Sequence, residues 1–254
     1  MKKILSGLAC GIILASTANA DFTKVEMGIG AWAQNSSGNL TYTSNGGTGN
    51  DKSLEKDNTS AYAWLLVKHP LPILPNLRLE YASIKNNGSA TGSFKEFSTA
   101  GTANTTLEMK QFDIIPYYNI LDNTAWTTLD IGLDAKVANI SYDATGNITI
   151  NGAANNSYSK SITLPIPLLY VRAIVQIPAT NIGFEADAKY IAYNSSSICD
   201  VRAKVDYTLS FIPVLKPAVE VGYRVQKIKI DEKETDATID LTFAGAYTGL
   251  ILRF

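Results

Sequence analysis

TIDLTFAGAYTGLILRF, residues 238–254, ends in a strict alternation: Leu250, Leu252 and Phe254 lie on one face, and Tyr247, Gly249, Ile251 and Arg253 on the other. A period of two marks an extended strand with two unlike faces. The same period returns upstream. Val25, Met27, Ile29, Ala31 and Ala33 alternate with Lys24, Glu26, Gly28, Gly30, Trp32 and Gln34. Thr127, Leu129, Ile131, Leu133, Ala135 and Val137 alternate with Asp130, Gly132, Asp134 and Lys136, and Val201, Ala203, Val205, Tyr207 and Leu209 with Asp200, Arg202, Lys204, Asp206 and Thr208. Further runs of the same kind occur at 77–81, 105–119, 168–177, 182–190 and 219–226. In 59–68 both faces are apolar, with Tyr62, Trp64 and Leu66 opposite Ala61, Ala63, Leu65 and Val67, so this strand has no assigned inside.

The connections alternate in length. Gly/Asn/Ser/Thr-rich stretches at 35–58, 86–104 and 143–160 read as long exposed loops. The links between them are short, and 69–76 carries three prolines that deny ladder donors. Pro165 and Pro167, spaced by two, remove donors toward one neighbour, so that end of the seam is expected to be weak or unpaired. Ten strands joined long, short, long, short predict an all-β fold, a closed antiparallel up-and-down transmembrane barrel, with eight or twelve strands as alternatives.

Met1 to Ala20 has the form of a secretory signal: two lysines, an apolar run from Ile4 to Ala15, and Ala18-Asn19-Ala20 as a small-residue cleavage site. Residues 21–254 then form one domain. Cys199 is the single cysteine of that mature chain, which excludes an internal disulfide. Lys plus Arg number 22 and Asp plus Glu 23; without Lys2 and Lys3 the balance is 20 minus 23, or −3, and no nucleic-acid partner is expected. No stretch after Ala20 has the roughly 18–20 apolar residues of a spanning helix, which leaves a soluble all-β protein or a closed barrel. Strand length, loop asymmetry and aromatic ends favour the barrel over a sandwich. Phe22, Tyr117, Tyr118, Trp126, Tyr207, Phe211 and Phe254 mark one expected interfacial girdle, and Trp32, Tyr142, Tyr190 and Tyr193 the other.

With these strands, the signal segment and a terminal aromatic, the chain resembles a small Gram-negative outer-membrane β-barrel. Throughout its mature length it is similar to an uncharacterised family of single-barrel outer-membrane proteins. That resemblance implies outer-membrane lipid and the barrel-assembly machinery as partners, with Leu250, Leu252 and Phe254 as the assembly signal.

The candidate functional feature is the set of charges on the strand faces opposite the aliphatic ones. It comprises Glu26, Arg78, Glu80, Asp130, Asp134, Lys136, Arg172, Glu185, Asp187, Lys189, Asp200, Arg202, Lys204, Asp206, Glu220 and Arg224. A barrel of about ten strands is barely wider than its side chains can fill, so ion pairs packing the lumen are expected before a narrow polar conduit. Each carboxylate pair on one face has a base nearby, so no metal or cofactor is expected. A ten-strand count invites comparison with the omptin proteases, whose chemistry needs Asp and His at the outer rim. The sole histidine, His69, lies in an expected exposed turn at the opposite end, and no enzyme activity is expected. The expected role is structural or surface contact, with a narrow pore as the alternative and a hydrolase as a remote one.

Overall fold

Eleven strands account for most of the chain in the computed structural model, which describes residues 24–44, 47–52, 58–71, 73–209, 215–232 and 237–254. They are β1 (Lys24–Ser44), β2 (Gly47–Asp51), β3 (Asn58–Lys68), β4 (Asn76–Ser93), β5 (Ser98–Thr124) and β6 (Thr127–Ile150). There follow β7 (Ala153–Gln176), β8 (Ile182–Tyr193), β9 (Ser196–Thr208), β10 (Lys216–Glu232) and β11 (Ala237–Arg253). All pairings are antiparallel. Ten strands, β1 and β3 to β11, form a ring that closes where β1 pairs with β11, Glu26 opposite Arg253 and Trp32 opposite Tyr247. β2 bridges β1 and β4 above the start of β3, so it continues the β3 column outward. The expected signal segment with Ala18 and Ala20, and the expected girdle residues Phe22 and Phe211, lie outside the described residues.

The three stretches read as loops are corrected: most of each is strand. β1 runs on to Ser44, β4 and β5 meet at a turn of 94–97, and β6 and β7 meet at Asn151-Gly152. A strand of 24 residues spans roughly 60 Å along a barrel axis at the usual rise and tilt, about twice a hydrocarbon core. About half of β6 and β7 therefore rises beyond a hydrocarbon core, whereas β8 and β9, of 12 and 13 residues, do not.

Side-chain chemistry changes phase at that midpoint. On lower β6, Ile131, Leu133 and Val137 are exposed outward while Asp130, Asp134 and Lys136 are buried inward. Above Val137 the outward positions become Asn139, Ser141, Asp143 and Thr145, and the inward ones Ala138, Ile140, Tyr142 and Ala144. β5 does the same between Phe112 and Lys110, and β10 between Val225 and Lys227, with Met109 and Ile228 turned in. A wall that is greasy outside below and polar outside above fits two surroundings, lipid and then water, and the inside compensates in each half.

The undecided strand, β3, turns Trp64 and Leu66 inward. Bulky rings fit there because the neighbouring strands β1 and β11 carry glycines beside them: a Cβ on Gly28 would stand 2.3 Å from Trp64 Nε1, and one on Gly249 2.3 Å from the Tyr62 hydroxyl. The girdles also need correction. Trp32 and Tyr117 are buried inside at 1% exposure and Tyr142 faces inward, whereas Tyr118, Trp126 and Tyr207 below and Tyr190 and Tyr193 above are exposed. As the two prolines require, β7 and β8 pair only from Leu169 opposite Tyr190 downward.

Candidate functional site

Alternation on each lower strand delivers one charged side chain inward every second residue, and ring closure brings them together from all sides. The structure places all sixteen candidate charges inside and buried. Glu80 on β4 accepts from Arg78 at 2.5 Å, Lys189 at 2.6 Å and Arg202 at 2.5 Å. Arg202 also grips Asp187 at 2.9 Å. Glu185 joins Arg78 at 3.3 Å, Lys204 at 3.5 Å and Arg172 at 3.8 Å; beyond these, Lys204 meets Glu220 at 2.8 Å and Arg172 meets Asp130 at 2.6 Å. Arg224 and Asp200 form a separate two-contact pair at 2.9 and 2.6 Å.

Asp113 and Arg253 belong to this ion-pair network and are missing from the sequence-derived set. Asp113 sits between Lys136, at 2.8 Å, and Lys189. Arg253 joins Glu26 at 2.7 Å to Asp206 at 2.8 Å across the closure seam. Both carry the signal that found the others, an inward phase: Asp113 lies between exposed Phe112 and Ile114, and Arg253 shares the face of buried Ile251. Asp134 is the odd member. It is fully buried, neither oxygen has a hydrogen-bond partner, and its ion-pair contact is Lys189 at 3.6 Å.

Apolar layers close the charged layer at both ends. Outward of it, Trp32, Ile84, Met109, Leu168, Ile198, Ile228, Leu241, Phe243 and Tyr247 form one cluster, and Tyr62, Ile140 and Ile191 pack against it, so every ring strand contributes. Inward of it lie Trp64, Leu66, Ile115, Tyr117, Tyr170, Ala218 and Ile251. Rings at these boundaries face cations: Arg224 stands 4.7 Å from the Trp32 ring centre, and Arg78 and Lys204 stand 4.8 and 4.9 Å from that of Trp64. A cavity of about 10 Å³ among Tyr62, Glu80, Gln111, Asp113, Arg202 and Arg224 has room for one water. The ion-paired charges thus lie between two apolar layers.

His69 lies in the β3–β4 turn, partly buried rather than exposed. Its Nδ1 accepts from the Leu71 amide at 3.1 Å and its Nε2 donates to the Pro75 carbonyl at 3.0 Å. Among the described residues no group of three or more His, Cys, Asp or Glu is arranged to hold a metal ion, and no helix is long and apolar enough to cross a membrane. The closing strand is paired to its end, and the Phe254 amide donates to Val25 O at 2.9 Å.

At the far tip, the 94–97 turn folds over the inner face of β7. Phe97 stacks on Phe94 at 4.7 Å and on Tyr158 at 4.6 Å, and Glu96 accepts from both Tyr158 and Lys160. Those two donors hold the Glu96 carboxyl below its usual range.

No family model matches the chain, and no curated protein matches it in sequence. Solved structures do resemble it. The outer membrane protease OmpT from Escherichia coli covers 94% of this chain and 100% of its own, with a TM-score of 0.51 and 11% identity. The translocator domain of the autotransporter NalP from Neisseria meningitidis covers 100% and 96% with a TM-score of 0.37 and 8% identity. A FadL homologue from Pseudomonas aeruginosa covers 94% and 92% at 0.31 and 8%. The likeness to OmpT is one of fold: this chain is an antiparallel up-and-down barrel of the outer-membrane type.

Proposed function

We propose that the chain is an integral outer-membrane protein of structural or surface-contact role, exported by its N-terminal segment, with a lumen that does not conduct. One observation carries the reading: the strand faces exchange polarity halfway up the wall, so the lower half suits lipid and the upper half stands in water above it. The paired charges and the two apolar layers support a closed lumen, and the tall polar exterior supports contact with something outside the cell. Leu250, Leu252 and Phe254 on the closing strand serve the assembly machinery in this reading.

Chemistry is not part of it. Both ring nitrogens of His69 are engaged within a turn at the end opposite the long hairpins, so the OmpT-like fold brings no placed base here. Planar-bilayer recording of the refolded barrel tests the role. A silent bilayer, from protein whose unheated and boiled forms migrate differently on a gel, is the expected result; stable unitary steps would establish the narrow pore instead.

A further inference from the structure

We propose that the outward half of β7 is an acceptor edge for an extended polypeptide strand, which adds to the barrel wall in the gap above the β8–β9 turn. The proposal rests on the surface-contact reading and names the class of partner.

The gap follows from strand lengths. β8 ends at Tyr193 and β9 begins at Ser196, while β7 runs outward from Leu169 to Ala153 and β10 runs outward to Glu232. Above Leu169 opposite Tyr190, β7 has no strand on its β8 side among the described residues, and β10 loses β9 above Lys229 opposite Ser197. By register Leu169 stands level with Tyr190, Cys199 and Lys227, so among the described residues two strands end just above that level, and the row from Thr163 to Ser157 runs on past the end of β10 as an edge with no strand beside it.

Which amides face the opening is decided by the chain itself. Pro167 lies opposite Ala135 and Pro165 opposite Val137 in unbroken register, and a proline cannot donate, so at both positions the face without N–H points away from β6. Two bonds lower down agree: the Gln176 amide donates to Trp126 O on the β6 side, and the Ile177 amide to Ile182 O on the β8 side. Odd-numbered residues of β7 therefore turn both N–H and C=O into the gap. From 157 to 163 these are Ser157, Ser159, Ser161 and Thr163, and Pro165 and Pro167 end the usable ladder just above the membrane half.

The apolar interior is also laid open there. Going round the wall toward the gap, inward-facing Met109 on β5 is 3% exposed, Ile140 on β6 is half-buried, and Ile162 on β7 is 48% exposed. Only another backbone matches a row of alternating donors and acceptors, and only an apolar inner face covers Ile162 and its neighbours. The occupant is thus an extended segment, apolar on alternate residues and polar between them. It would extend the β7–β8 seam outward.

The probe is a synthetic peptide of residues 138–145, ANISYDAT, which has this pattern and pairs with the opposite edge of β7 in the fold. Residue-resolved hydrogen exchange is followed on the refolded, full-length mature barrel in detergent. In the free barrel the amides of Ser157, Ser159, Ser161 and Thr163 are expected to exchange faster than those of Tyr158, Lys160 and Ile162. Saturating peptide slows the odd set about tenfold, the worth of a modest hydrogen bond, and leaves the even set unchanged. The variant S159P/S161P removes two gap-side donors in the manner of the native prolines; it should keep the gel shift and lose the peptide's protection of Ser157 and Thr163. Unchanged odd amides at saturation, or protection that survives in the variant, overturn the proposal. Protection that rises with barrel concentration without peptide overturns it in favour of a second copy. Loss of the gel shift in the parent chain would defeat the barrel reading itself.

Discussion

Replacing Asp200 by Asn tests whether the lumen is dry. The Asp200–Arg224 pair is the cleanest in the interior: its contacts are 2.9 and 2.6 Å, the side chains are 2% and 6% exposed, and Arg224 also lies over Trp32. Removing the negative partner leaves a guanidinium buried beneath the apolar layer, and breaking such a pair costs about 3–5 kcal/mol. At 1.4 kcal/mol per decade this is roughly two to nearly four orders of magnitude in the unfolding constant. The measurement is equilibrium urea unfolding of the refolded barrel in detergent, followed by tryptophan fluorescence. D200L/R224M removes both charges and should return to within about 1 kcal/mol of the parent, or exceed it. If D200N costs no more than about 1 kcal/mol, as truncating the exposed Lys110–Glu108 pair should, water reaches the pair and the closed-lumen argument fails.

Three further outcomes are expected. Leu133→Arg, in the middle of the exposed aliphatic band, should destabilise refolding into vesicles by about 2–4 kcal/mol, while Ser141→Arg, outward on the same strand above the change of phase, should cost about 0–1 kcal/mol; equal costs would refute the two-environment wall. Gly28→Ala brings a Cβ against the Trp64 ring and should cost about 1–3 kcal/mol in urea, with W64L restoring much of the loss in the double variant; additive costs would show that the two sites do not meet. The Glu96 latch should depend on acid. A carboxylate held below the ordinary value of 4.5 contributes stability that is complete above that value and is lost as pH falls through the lowered one. A spin label at Lys95→Cys, in a C199S background, should therefore gain mobility only below about pH 4.5, and E96Q should be mobile throughout; a pH-independent spectrum in the parent would reject the latch.

Much of the lower barrel was legible because a period of two needs no partner to be recognised: Ile131, Leu133 and Val137 face opposite to Asp130, Asp134 and Lys136 in any extended chain. The upper wall was hidden by composition. Asp143 to Lys160 looks like loop when only apolar residues outside are sought, yet above Val137 the alternation continues in reversed phase, with Ile140, Tyr142 and Ala144 inward. β3 stayed ambiguous because both faces are apolar, and the glycines that admit Trp64 and Tyr62 belong to other strands.

Sequence by itself determined that the strands are two-faced and that Pro165 and Pro167 cannot bond a further strand, and it put the count around the axis at about ten with eight or twelve left open. Only closure decided that Glu80 would meet Lys189 and Arg202, that Arg253 would bridge Glu26 and Asp206, and that β7 would stand beside an opening. The reason is physical: facing is a local property of the backbone, whereas partnership across a barrel depends on stagger and on how far each neighbour extends, which no strand carries within itself.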